Sequence, residues 1–156
     1  MLTCLPKSLC SRDFRILGTS DAAAVNFNPF TEQGSISLGD SEFAIRKHGP
    51  MSGHWTLECN GQAVADARKP RAMYRSFDVK VAGNQFTLKA HSSFNRAFDI
   101  LVGNQPVGVI RPAHAFTRRA FVECTSPIPE HAQLFLFWLV ALLWRRDEDT
   151  VYVAGT

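Results

Sequence analysis

Eleven consecutive residues, Leu134 to Trp144 (LFLFWLVALLW), carry no charged or hydrogen-bonding group other than two indoles. Their composition and length predict a helix rather than a strand, because alternation at period two fails throughout. A helix that is apolar all the way round has to be enclosed, by lipid or by protein. The uncharged run, Ala132 to Trp144, covers only about 20 Å at 1.5 Å per residue. A spanning helix needs roughly 30 Å, and Trp138 sits in the middle of the run instead of at an interface. Protein enclosure is therefore the expectation, with no transmembrane span. The start signals are Ser126 as N-cap, Pro127 or Pro129 at the first helical position, and Glu130 in the first turn. Arg145 and Arg146 are expected in the last turn, Asp147 to Asp149 as an acidic stop, and Thr150 to Ala154 (TVYVA) as a closing strand.

What can enclose such a helix is written ahead of it. Phe77, Val79 and Val81 alternate with Asp78 and Lys80, and Trp55, Leu57 and Cys59 alternate with His54, Thr56 and Glu58. Phe86, Leu88 and Ala90, then Phe98, Ile100 and Val102, repeat the pattern. Turn signals at Gly39-Asp40, Asn60-Gly61, Ala82-Gly83-Asn84 and Gly103-Asn104 recur about every 20 residues, the length of a hairpin with its turns. Strands with one apolar and one polar face belong to an antiparallel sheet. Curling that sheet around the helix buries both apolar surfaces and removes exposed edges. A sandwich with the helix outside would leave one helix face wet. The predicted fold class is mostly β: a closed antiparallel β-barrel of about 10–12 strands enclosing one hydrophobic helix at roughly residues 129–146. Residues 1–34 are expected as a lead-in packed on the barrel, with a short strand at Asp13 to Leu17, an irregular connection from Asp21 to Gly34, and Phe27 and Phe30 packed on the body. Residues 35–156 form the barrel, with Phe116 to Cys124 as its strand before the helix.

A chain of 156 residues with 46% hydrophobic and 20% charged residues suits one globular domain. Net charge is +3, compatible with an anionic partner without requiring one. The four cysteines, at 4, 10, 59 and 124, have no metal-type spacing and are expected as free thiols, with a Cys4–Cys10 disulfide the alternative. The first residues lack the apolar core of a signal peptide, so the expected location is cytoplasmic, with peripheral membrane contact. The five histidines show no H-x-x-x-H or H-E-x-x-H spacing, and no G-x-S-x-G, P-loop or G-x-G-x-x-G is present. Catalytic residues, metal ligands and cofactors are accordingly not expected.

Hairpins followed by the strand-like Phe116 to Cys124 and the helix FLFWLVALLWRR (Phe135 to Arg146) resemble the tubby C-terminal-like fold, shared by tubby proteins, LURP-one-related proteins and phospholipid scramblases. The resemblance covers residues 35 to 154. It implies a barrel around a central helix and contact with membrane lipids, phosphoinositide headgroups among them. It transfers no site residue by position. The acidic run Asp147-Glu148-Asp149 lacks the spacing of a calcium loop, which argues against scramblase activity.

Two basic stretches are the candidate anion sites. Arg68, Lys69, Arg71 and Arg75 form the first; Arg111, His114, Arg118 and Arg119 form the second. A solvated loop is the more ordinary reading of either, since Lys and Arg are mostly exposed. With only Tyr74 interleaved, nucleic acid is not a predicted partner. The expected function is a non-enzymatic binding domain that engages anionic lipid through its basic outer surface. The alternative is a protein–protein adaptor or structural protein, marked by an exposed apolar patch around Phe27 and Phe30. An enzyme or lipid scramblase is a remote third.

Overall fold

A computed structural model describes residues 1–92 and 95–155. Its twelve strands are β1 (Leu2–Pro6), β2 (Phe14–Leu17), β3 (Ala23–Phe27), β4 (Gly34–Leu38), β5 (Ser41–Lys47), β6 (His54–Cys59), β7 (Gln62–Arg68), β8 (Ser76–Val81), β9 (Asn84–Ala90), β10 (Phe98–Val102), β11 (Gln105–Pro112) and β12 (Ala120–Cys124), followed by α1 (Glu130–Ala154). Each strand pairs antiparallel with the next, and β1 closes the ring on β12 through Leu2 to Cys4 opposite Val122 to Ala120. The closed barrel around a single apolar helix is the predicted fold class. From Ala132 to Trp144 every side chain of α1 except Gln133 is buried. The inward residues of all twelve strands join it in one core. Phe137 meets Phe14 edge-on at 5.0 Å, and Trp138 stacks on Phe27 at 5.1 Å.

Several local expectations are corrected. Residues 1–34 are not a lead-in; they supply β1, β2 and β3, so the barrel begins at Leu2. Their alternation (Leu2 and Cys4; Ala23, Val25 and Phe27 buried) is muted by small residues and by Pro6. Phe27 packs inside as expected, whereas Phe30 projects into solvent. The last strand starts at Ala120, four residues after an exposed Phe116. The N-cap is Pro129, with no side-chain cap; Glu130 instead accepts hydrogen bonds from the Ser20 N–H and hydroxyl, both 2.7 Å. Thr150 to Ala154 is helical, not a closing strand. A closed ring offers no free edge for a thirteenth strand, and extending a helix already nucleated costs little. Arg145 and Arg146 therefore lie mid-helix. All four cysteines are free, Cys4 in the core and Cys10 on an exposed loop, and burial raises the Cys4 thiol pKa.

The up-and-down order sorts the connections by length. At one end lie the tight turns 39–40, 60–61, 82–83 and 103–104, with 18–22 and the 125–129 link to the helix. Asn60 (φ 52°) and Gly61 (φ 78°), like Ala82 (φ 47°) and Gly83 (φ 80°), adopt the left-handed pair that a type I′ hairpin requires. At the other end are six loops of six or seven residues: 7–13, 28–33, 48–53, 69–75, 91–97 and 113–119. The helix enters at the turn end and leaves through the loop end, where Arg145 donates to the carbonyls of Asn28 (3.1 Å) and Pro29 (3.0 Å).

Candidate anion-binding groove

Where α1 emerges, loops 28–33, 48–53 and 69–75 stand apart and leave an open groove of about 940 Å3. Glu32, Lys47, Trp55, Lys69 and Arg146 give it its chemistry. Trp55 forms the floor. Its ring is buried against Phe77, and its indole N–H donates to the Glu32 carbonyl at 2.9 Å, fixing that loop. Two cations lie over the ring, the Lys47 ammonium at 5.4 Å from the centroid and the Arg146 guanidinium at 5.7 Å. Both converge on the Glu32 carboxylate. Arg146 binds it bidentately (2.5 and 2.7 Å) and Lys47 at 2.5 Å. Hydrogen bonding from Arg146, with Lys47 adding to it, outweighs burial and lowers the Glu32 pKa to about 2.

Lys69 adds the groove's third cation. Its ammonium donates to the backbone carbonyls of Arg71 (3.2 Å), Ala72 (2.7 Å) and Tyr74, curling loop 69–75 around itself. Desolvation first, then the nearby Arg146 and Arg75, lower its pKa. The groove, open to solvent, thus holds three cations and one carboxylate, which pairs with Lys47 and Arg146 only. Such a surplus is complementary to an added anion, above a Trp55 ring that is itself buried beneath Lys47 and Arg146.

The two basic stretches separate into structural and free members. In the first, Lys69 lines the groove. Arg75 is turned away, its guanidinium 5.3 Å over Phe98 and bonded to Asp147 at 2.9 Å, with its Nε buried and unpartnered. Arg71 lies over Tyr74, and Arg68 is exposed beside Asp66 at 3.4 Å. In the second, Arg111 pairs with Glu123 (2.8 Å) and covers Phe121, and Arg118 clamps loop 7–13 by its carbonyls, Ser8 at 2.7 Å and Leu9 at 2.5 Å among them. His114 and Arg119 are exposed. The stretches are not two continuous patches, because Lys69, Arg75, Arg111 and Arg118 are each engaged in holding loops, strands or the helix.

Sequence reasoning missed Glu32, Lys47, Trp55 and Arg146. They are distant in the chain, and Arg146 had been assigned to the helix end. The signal was the helix itself. Charges just past an enclosed apolar run must meet whatever rims the barrel mouth.

Near the groove the His48 and His54 rings stack at 4.5 Å, and His48 Nε2 lies 2.8 Å from Thr56 Oγ1. His54 contacts Asp66, so these rings hold the outer face of β6 and β7. No group of three His, Cys, Asp or Glu able to hold a metal ion occurs among the described residues. Among those residues, too, no helix is long and apolar enough to cross a membrane.

Fold and groove together define a helix-filled twelve-strand barrel with a cationic mouth. Comparison with known proteins adds no relative: no family model, no curated protein and no solved structure matches this chain.

Proposed function

We propose that this protein is a non-enzymatic binding domain whose loop-end groove takes a phosphate-bearing headgroup of an anionic lipid. The observation that carries this reading is the placement of Lys47, Arg146 and Lys69 in one open groove whose single carboxylate, Glu32, is gripped by Lys47 and Arg146. Arg68 and Arg71, exposed beside it, add attraction of about 1 kcal/mol each near an anionic surface. The tubby-like relationship is part of the same proposal. The enclosed apolar helix behind a run of hairpins supports it, and lipid contact is what it implies.

Glu32 occupies the two best cations of the groove, so it acts as a built-in counter-ion that a ligand has to displace. Glu32→Gln keeps the shape and a hydrogen-bonding oxygen while removing the charge. With inositol hexakisphosphate as a soluble probe in calorimetry, Glu32→Gln should bind at least tenfold more tightly than wild type. That corresponds to about 1.4 kcal/mol, a modest share of a close charge pair. Lys47→Gln with Arg146→Gln should abolish binding. Equal, weaker or absent binding by Glu32→Gln refutes the groove.

A further inference from the structure

Large apolar side chains stand fully in solvent at the tips of five of the six long loops. They are Leu9 (96% exposed), Phe30 (93%), Met51 (96%), Met73 (94%) and Phe116 (98%), one per loop. The sixth loop, 91–97, includes residues outside those described. Four of the five lie in connections whose base is tied down. Arg118 holds the carbonyls beneath Leu9, Asn28 caps the N–H of Phe30 at 2.9 Å, Lys69 gathers the carbonyls around Met73, and Ala113 N–H closes on the Arg119 carbonyl at 2.8 Å below Phe116. Val151 and Tyr152 on the projecting helix are exposed at the same end. At the turn end, by contrast, the connections are short, and of the exposed large apolars beside them only Met1 (73%) is mostly in solvent, Leu17 and Val102 being 46% exposed.

Charge sorts the same way. The six loops and the helix from Arg145 onward hold ten Lys and Arg against five Asp and Glu, a net +5. The whole chain carries +3, so the rest carries −2. The turn segments and the first helical residue hold Asp21, Asp40 and Glu130 with no Lys or Arg.

We infer that the loop end is a membrane-docking face, which enters the headgroup region of an anionic bilayer by its apolar tips with the barrel axis along the membrane normal. A ring of separated apolar points among basic side chains fits that interface. The points reach the acyl boundary while the cations stay level with the phosphates. The opposite polarity of the two ends orients the approach. A flat apolar partner would instead ask for one contiguous patch, and the tips are spread around the barrel mouth. This face rests on the reading of the loop end as lipid-facing, but insertion and groove occupancy are separable.

The test uses full-length protein and vesicles of phosphatidylserine with phosphatidylcholine, or phosphatidylcholine alone. Phe116→Trp and Asp40→Trp put a reporter at opposite ends. Fluorescence of Phe116→Trp should shift to the blue with anionic vesicles while that of Asp40→Trp stays unchanged. Combined Leu9→Ser and Phe116→Ser, on loops that do not line the groove, should lower vesicle affinity at least tenfold and leave inositol hexakisphosphate binding by the groove unchanged. No shift at Phe116→Trp, an equal shift at both reporters, or unaltered affinity in the combined variant overturns the docking face. If the combined variant keeps wild-type vesicle binding and Lys47→Gln with Arg146→Gln loses it, the face fails and the groove stands. The converse result supports the face and removes the groove. Absence of binding to both vesicle types overturns the face and leaves the tips to a protein partner.

Discussion

Gly34→Ala tests how tightly the helix is held, and the structure sets the size of the effect. Gly34 opens β4, opposite Phe27 on one side and Ile45 on the other. A Cβ there would lie 2.1 Å from the Asn26 carbonyl oxygen and 2.7 Å from Trp138 Nε1, where ordinary contact begins at 3.4 Å. The carbonyl would have to retreat by more than 1 Å. That carbonyl also accepts the Trp138 indole N–H at 3.2 Å, and Trp138 cannot follow, being stacked on Phe27 in a filled lumen. Losing the indole bond costs about 1 kcal/mol, and forcing extra volume into a packed core costs roughly 1–3 kcal/mol more. The expected loss is about 3 kcal/mol, or about 1.5 M in the urea midpoint at a slope of ~2 kcal/mol/M. Gly83→Ala is the control. Its φ of 80° strains an alanine, but nothing lies within 4 Å, so its loss should be about 1 kcal/mol. Urea unfolding followed by tryptophan fluorescence reads both. A loss for Gly34→Ala no greater than for Gly83→Ala would refute the claim that backbone and helix meet there without spare room.

Glu32 should make the protein acid-sensitive. Its pKa is lowered from 4.5 to about 2, so its stabilisation is complete above pH 4.5 and is lost as pH falls toward 2. The unscreened shift is worth about 3 kcal/mol, cut to roughly 1–2 by the open groove; the acid limb of stability against pH should flatten by that amount in Glu32→Gln, and an unchanged limb would contradict it. Arg118→Ala should cost about 1–2 kcal/mol by releasing the carbonyls of loop 7–13, whereas Arg119→Ala should stay within about 0.5 kcal/mol; equal thermal midpoints for the two would count against the clamp.

The helix was legible because an all-apolar run has few solutions, and its enclosure by hairpins followed from their alternation. The strands from Ser35 to Arg111 came with Asn-Gly and Gly turns that announce themselves locally. β1 and β3 did not, because Leu2-Thr-Cys and Ala23-Ala-Val offer small or mixed side chains whose burial is decided by ring closure. Thr150 to Ala154 has strand-like residues, and only the missing edge makes it helical. Basic side chains were visible, but their roles were not. Whether Arg118 is free or Arg146 grips Glu32 depends on which loops share a barrel end, and that is a property of the whole ring.

The helix that fills the lumen comes after all twelve strands in the chain, and this constrains the order of assembly. The ring itself closes only when Leu2 to Cys4 find Ala120 to Val122, a loop closure across most of the sequence that must be met before it is rewarded. Until then the curled sheet has two open edges and an apolar inner face with nothing against it. Hairpins can form early and locally, yet none can be buried before α1 arrives. Folding is thereby pushed toward one late concerted event, and the interval before it is when the chain is most exposed to aggregation.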